Sequence, residues 1–138
     1  MKIRSAKTKD LKEISSLINN GFNRKQKKFL STNFLENPNI ICLVVFNNYK
    51  VIGTASLYLL EKIDCIAGQI EDVVVDEKFR GKGIGSSLVK ALIEKAKKAN
   101  CYKVMLNCKK ENKGFYDRLG FVCNEFQMIK RVKRLHTI

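Results

Sequence analysis

The stretch Val73-Val74-Val75-Asp76-Glu77-Lys78-Phe79-Arg80-Gly81-Lys82-Gly83-Ile84-Gly85-Ser86 joins an apolar run of strand length to the start of a helix. From Ile84 onward, Leu88, Leu92 and Ala96 recur every fourth residue with Val89 and Ile93 beside them, while Lys90, Glu94, Lys97 and Lys98 fall opposite. That spacing predicts a helix with one apolar face. The glycine-rich loop before it leaves several backbone N–H groups uncovered at a helix start, where the first amides lack intrahelical partners and the helix dipole is positive. Such a loop is suited to an anion. It is not a Walker A loop, which needs Ser or Thr directly after Gly-Lys, because Gly83 follows Gly81-Lys82. Nor is it a dinucleotide fingerprint, whose third glycine would fall at Ser86. The pattern that remains is Arg80-x-x-Gly83-x-Gly85.

Working outward, residues 2–6 read as a short strand. Leu11, Ile14, Leu17 and Ile18 give helical spacing over Asp10 to Asn20, with Asn19-Asn20-Gly21 as a stop. A second helix is expected from Arg24 to Leu35, ending before Asn37-Pro38-Asn39. Ile40 to Phe46 and Lys50 to Leu60 read as a hairpin, and Gln69 to Val75 as a further strand. After the long helix come a strand from Lys103 to Asn107, a short helix from Asn112 to Leu119 ended by Gly120, and a final strand or hairpin from Phe121 to Val132. An antiparallel first half followed by βαβ units predicts an α+β fold: a central, mixed, mostly antiparallel twisted sheet with helices on both faces.

The chain has 138 residues, 45% of them apolar, a length that suits one domain spanning 1–138. The start, Met1-Lys2-Ile3-Arg4, lacks the apolar segment of a secretory signal, and no run approaches a membrane span. A cytoplasmic protein with no membrane partner is the expectation. The formal charge of +14 attracts anions and repels polycations, which admits nucleic acid, acidic membrane or phosphorylated small molecules as partners. Cys42, Cys65, Cys101, Cys108 and Cys123 are odd in number, contain no CxxC pair and lie mostly in apolar stretches, so buried free thiols are expected. With His136 the only histidine, no metal site of ordinary zinc spacing is expected, and no Cys–His nucleophile pair is supported.

The Arg80-x-x-Gly83-x-Gly85 loop resembles the acetyl-CoA loop of the GNAT acetyltransferase superfamily. Within it, Gln69-Ile70-Glu71-Asp72-Val73-Val74-Val75, Cys101-Tyr102-Lys103-Val104-Met105-Leu106-Asn107-Cys108, Glu111-Asn112-Lys113-Gly114-Phe115-Tyr116 and Leu119-Gly120-Phe121 resemble the glucosamine-6-phosphate N-acetyltransferases. The run Lys50 to Leu57 and the late Gln127-Met128 agree. The likeness covers about residues 50–131 and is poor over 7–40.

The resemblance implies a GNAT fold and transfer of acetyl from acetyl-CoA to the amine of glucosamine 6-phosphate, on the route to UDP-N-acetylglucosamine. Direct attack of an amine on a thioester needs a neutral amine, an oriented thioester, an oxyanion donor and a proton for the leaving thiolate, with no covalent enzyme intermediate. By resemblance, Glu71 and Asp72 contact the sugar and Val73 donates its amide to the thioester carbonyl. Val74, Val75, Arg80, Gly81, Lys82, Gly83, Ile84, Gly85 and Ser86 bind the cosubstrate, bordered by Asn112. Tyr116 stabilises or protonates the thiolate. A bulge in the equivalent strand is typical of the superfamily; without one, the adjacent Glu71 and Asp72 point to opposite faces. Arg131 falls where a family member's phosphate-binding arginine stands, with Lys62 as a second cation. The family's site is shared across a homodimer. Two departures stand out. Asn107 replaces an acid, and an amide accepts no proton at neutral pH; Gln69 replaces a basic residue.

Each residue also has an architectural reading: a glycine-rich turn for the loop, a solvated strand end for the acidic pair, a packing tyrosine for Tyr116, an N-cap for Asn112 and a solvated basic tail for Arg131. The competing functions are acetylation of another amine, on a protein N-terminus or another amino sugar, and nucleic-acid binding through Arg24-Lys25-Gln26-Lys27-Lys28 and the tail. No RNA-binding motif with interleaved aromatics accompanies that charge.

Overall fold

Three antiparallel ladders and one parallel ladder build the sheet, whose strands lie in the order β1-β2-β3-β4-β5. The computed structural model describes residues 1–23 and 31–134. The strands are β1 (Lys2–Ser5), β2 (Ile40–Asn47), β3 (Lys50–Glu61), β4 (Ile66–Val75) and β5 (Cys101–Met105); the helices are α1 (Leu11–Gly21), α2 (Thr32–Glu36), α3 (Ile84–Lys98) and α4 (Lys113–Asp117). β2 and β3 meet at a two-residue turn in which Asn48 and Tyr49 both have positive φ, 51° and 67°. Positive φ at both central residues is the turn geometry that matches strand twist in a tight hairpin.

The chain divides into two compact units, Met1–Asn107 and Cys108–Ile138. In the first, register decides which side chains share a face. Cys42 stands opposite Ser56 and Val44 opposite Thr54; on this face Cys42, Val44, Val51 and Val74 form a cluster with Ile14 and Ile18 of α1. The intervening residues face α3, where a Cβ on Gly53 would stand 3.3 Å from Ile84 Cγ2 and 3.4 Å from Leu88 Cδ1. Helices therefore cover both faces, and the central β3 is buried from Val51 through Leu57. A run buried on both sides reads as continuously apolar rather than alternating. α3 buries Ile84, Leu88, Val89, Leu92 and Ala96, four of them the expected every-fourth positions.

Several boundaries move. β4 begins at Ile66 rather than Gln69, because Ile66 to Gly68 extends the antiparallel ladder opposite Leu59 to Glu61. β5 covers Cys101–Met105 rather than Lys103 to Asn107, starting as soon as Asn100, at φ 63°, turns the chain out of α3. Of the expected helix from Arg24 to Leu35, residues 24–30 lie outside the described part, and with them the basic run Arg24 to Lys28, as does His136; what is described is α2 alone.

In the second unit a 3-10 turn at Lys110–Asn112 leads into α4, which closes at Asp117, two residues short of the expected Leu119. Gly120, at φ 90°, reverses the chain, and Phe121 N–H donates back to Tyr116 O at 3.1 Å. The expected strand from Phe121 to Val132 is absent among the described residues. Its apolar residues Phe126, Met128 and Val132 are almost wholly exposed; a strand's N–H and C=O groups need a neighbouring strand, and none among the described residues pairs with it. The thiols also depart from expectation. All five are free, yet only Cys42 is buried; Cys65 and Cys101 are half-buried, and Cys108 and Cys123, in irregular segments of the second unit, are exposed.

Candidate active site

One residue too many on β4 builds the site. Thr54 pairs with Val74 and Ser56 with Glu71, so Ala55 alone faces two residues, Asp72 and Val73. This is a β-bulge, and Asp72 occupies it at φ 55°, a left-handed conformation that Asp tolerates better than most residues because its short polar side chain bonds locally. Burial is the first cause that raises Glu71, Tyr58 and Cys42, and the charge of Asp72 adds to it in each; the register places all three on the α1-side face.

The same stretch lacks a neighbour on its other edge. The parallel ladder with β5 ends where Gln69 meets Met105, so Ile70 to Val75 run on beside β3 alone among the described residues. A strand edge of this kind presents backbone N–H and C=O groups to whatever extended chain lies against it. The amide of Val73 lies on this segment.

Glu71 is held by its surroundings. Its exposed carboxyl lies above the usual range chiefly because of partial desolvation, then because of the charge on Asp72, while the Gln69 side-chain amide, donating to Glu71 Oε1 at 3.2 Å, pulls it back. A carboxyl raised in this way is better matched to accepting a proton from an amine. Beneath the pair, Cys42 is buried with Sγ 3.7 Å from Thr54 Oγ1, and Thr54 donates to Leu43 O at 2.9 Å. Burial raises the Cys42 thiol, so it stays protonated and inert.

Beyond β4 the glycine loop is pinned at its base. Asp76 N–H donates to Ile52 O at 2.7 Å, the Asp76 side chain accepts from Lys78 N at 3.0 Å, and Arg80 Nε donates to Val75 O at 3.1 Å. Lys82 lies over the Phe79 ring at 5.4 Å. Gly81 and Gly83 take φ of 79° and 81°, and a Cβ at either would meet no atom within 4 Å. Their side toward solvent is therefore an open cradle. The first helical bond runs from Ser87 N to Gly83 O at 3.0 Å, so the amides of Ile84, Gly85 and Ser86 have no partner within α3, as at any helix start.

The other predicted residues lie elsewhere. Lys62 is exposed in the β3–β4 turn, six residues along the strand from Ser56, or roughly 20 Å at strand rise, and is not brought to the acidic pair. In the second unit, Tyr116 is half-buried between Phe115 and Phe121, with ring centroids 4.8 and 5.9 Å away in edge-on geometry; burial and then the charge of Cys108 raise its phenol. Asn112 stands at the start of α4, but its side chain makes no capping hydrogen bond there. Arg131 is exposed in the irregular tail, and Asn107 is exposed just past β5. Residues overlooked in the sequence are Tyr58, half-buried on β3, and Phe34 of α2, whose ring meets it edge-on at 6.4 Å. Their signal was the alternation Thr54, Ser56, Tyr58; its link to Glu71 appears only with the register.

A bulged strand beside an unpaired edge, followed by a glycine loop and a helix start, is an arrangement other proteins share. Residues 9–121 match the family model described as acetyltransferase (GNAT) family. A glucosamine 6-phosphate N-acetyltransferase of Arabidopsis thaliana is 41% identical over 95 residues, 66% of this chain and 64% of the relative; the chain thus spans just under two thirds of that relative's length. One from Schizosaccharomyces pombe is 39% identical over 98 residues, covering 69% of this chain and 84% of the relative. The crystal structure of the glucosamine-6-phosphate N-acetyltransferase from Arabidopsis thaliana superposes with a TM-score of 0.81 at 30% identity, covering 96% of this chain and 98% of that one. Sequence and architecture agree along most of its length, and the chain belongs to the GNAT acetyltransferase family.

Proposed function

We propose that residues 1–138 act as one catalytic domain that transfers acetyl from acetyl-CoA to the 2-amino group of D-glucosamine 6-phosphate, giving N-acetyl-D-glucosamine 6-phosphate and CoA for UDP-N-acetylglucosamine synthesis. The observation that carries this reading is the bulge at Asp72, which interrupts the β3–β4 ladder next to Glu71 on the stretch of β4 that runs beyond its ladder with β5. The names of the relatives support the acceptor.

Acetyl-CoA supplies the thioester carbon. Its pyrophosphate suits the open cradle of Gly81 and Gly83 and the amides of Ile84, Gly85 and Ser86, with Lys82 and Arg80 as nearby cations. Its extended arm suits the outer edge of β4 from Val73 to Val75, where Arg80 already donates to the Val75 carbonyl, and the Val73 amide serves as oxyanion donor. Asn112 borders the cosubstrate. Asp72 and Glu71 hold the amino sugar, and Glu71, with its raised carboxyl, takes the proton as the nitrogen attacks. A C–N bond forms and the C–S bond breaks. Tyr116 gives its proton to the leaving thiolate; its raised phenol is protonated at neutral pH. Arg131 pairs with the sugar phosphate. Lys62, remote along β3, has the weakest claim. A cytoplasmic homodimer completes the reading, and the exposed Phe126, Met128 and Val132 support a partner surface on the tail.

The test is product identification. Incubation with acetyl-CoA and glucosamine 6-phosphate is expected to yield a sugar phosphate heavier by one acetyl group and resistant to amine-reactive reagents. An unchanged sugar, with acetyl-CoA bound, would sink the acceptor assignment.

A further inference from the structure

Beside the acidic pair, the α1-side face carries an aromatic residue with no role in the chemistry above. Tyr58 pairs with Gln69 on β4 and with Ile40 on β2, so its ring shares a face with Gln69 and Glu71 on one side and Cys42 on the other. Glu71 lies one diagonal step away across the β3–β4 ladder, a separation of roughly 7–8 Å at the backbone that an aromatic side chain spans. Phe34 supports the ring from α2 at 6.4 Å, with the planes 61° apart. The residue is half-buried, so part of it is packed and part remains accessible. The electrostatics agree: after burial, the charges of Asp72, Glu71 and Cys42, in that order, raise the phenol. The hydroxyl is therefore a neutral donor and acceptor at physiological pH.

A flat hydrophobic ring with one hydroxyl at its tip, next to two carboxylates, matches an acceptor that presents an apolar face, hydroxyl groups and an amine together. A sugar ring has all three. A linear polyamine has amines and methylenes but no hydroxyl. Resting on the acceptor site argued above, we propose that Tyr58, backed by Phe34, is a specificity-determining residue of that site: its ring packs against the C–H face of the amino sugar and its hydroxyl hydrogen-bonds a sugar hydroxyl.

The experiment is steady-state kinetics of the wild type, Tyr58→Phe and Tyr58→Ala, with acetyl-CoA and glucosamine 6-phosphate varied separately, alongside melting temperatures. Removing one neutral hydrogen bond in Tyr58→Phe is expected to raise the sugar KM about three- to tenfold, with the acetyl-CoA KM and melting temperature unchanged. Tyr58→Ala, which also removes the ring, is expected to raise the sugar KM further; if it does not fold, Tyr58→Phe alone decides. An unchanged sugar KM in Tyr58→Phe, or an equal rise in both KM values, overturns the role of Tyr58 and leaves the reaction standing. A wild-type protein that binds acetyl-CoA and never acetylates the sugar overturns the reaction, and the role of Tyr58 with it.

Discussion

Replacing Asp72 separates the backbone device from the charge it carries. Asp72→Gly and Asp72→Ala both delete the carboxylate and every contact it makes, so the difference between them isolates the φ of 55°. An L side chain in the left-handed region costs about 1 kcal/mol relative to glycine. For a chain of this size that corresponds to a melting temperature about 3 °C higher for Asp72→Gly than for Asp72→Ala. Both variants are expected to lose activity, because a charge-assisted hydrogen bond contributes about 1.5–3 kcal/mol, or roughly 10- to 150-fold in kcat/KM. Asp72→Asn completes the set: it tolerates the conformation and removes only the charge. Since Asp72 raises Glu71, the acidic limb of the pH profile of kcat/KM for Asp72→Asn is expected to move to lower pH. Paired thermal melts and pH-resolved turnover read these effects. An Asp72→Ala variant as stable as Asp72→Gly would refute the bulge geometry, and an acidic limb that stays in place would remove Glu71 as the group that titrates there.

Three further outcomes are expected. Tyr116→Phe lowers kcat with little change in acetyl-CoA affinity, measured by turnover and direct titration; equal turnover removes Tyr116 from catalysis. Arg131→Ala weakens glucosamine 6-phosphate more than unphosphorylated glucosamine, so an equal loss for both defeats the phosphate contact. Gly21→Ala, whose Cβ would stand 2.7 Å from Val74 Cγ1, is expected to destabilise by about 1–3 kcal/mol from overpacking, less the few tenths to 1 kcal/mol that alanine gains in a helix. Chemical denaturation measures it, and a neutral result would mean that α1 does not approach β4 so closely.

The long helix was legible because Ile84, Leu88, Leu92 and Ala96 repeat along one face, and the glycine loop because nothing but glycine suits φ near 80° twice in three residues. The hairpin was equally plain from two β-rich runs around Asn48. What single-residue patterns do not carry is register. Whether Glu71 and Asp72 act together depends on an extra residue opposite Ala55, and a bulge centred on Asp leaves no glycine to mark it. The place of Tyr58 beside Glu71 is hidden for the same reason: it follows from the pairing Tyr58–Gln69 across the β3–β4 ladder. The tail from Phe121 to Val132 shows the opposite failure. Its apolar residues suggest a strand, yet a strand forms only against a neighbour, and neighbours are not written in local composition.

The most direct test of the account is release of free CoA thiol when purified protein receives acetyl-CoA with glucosamine 6-phosphate, and separately with glucosamine, spermidine and a peptide amine. The account predicts rapid release with the phosphosugar, slower release with glucosamine and none with the other two. Release with the peptide amine or spermidine in preference to the phosphosugar would contradict it.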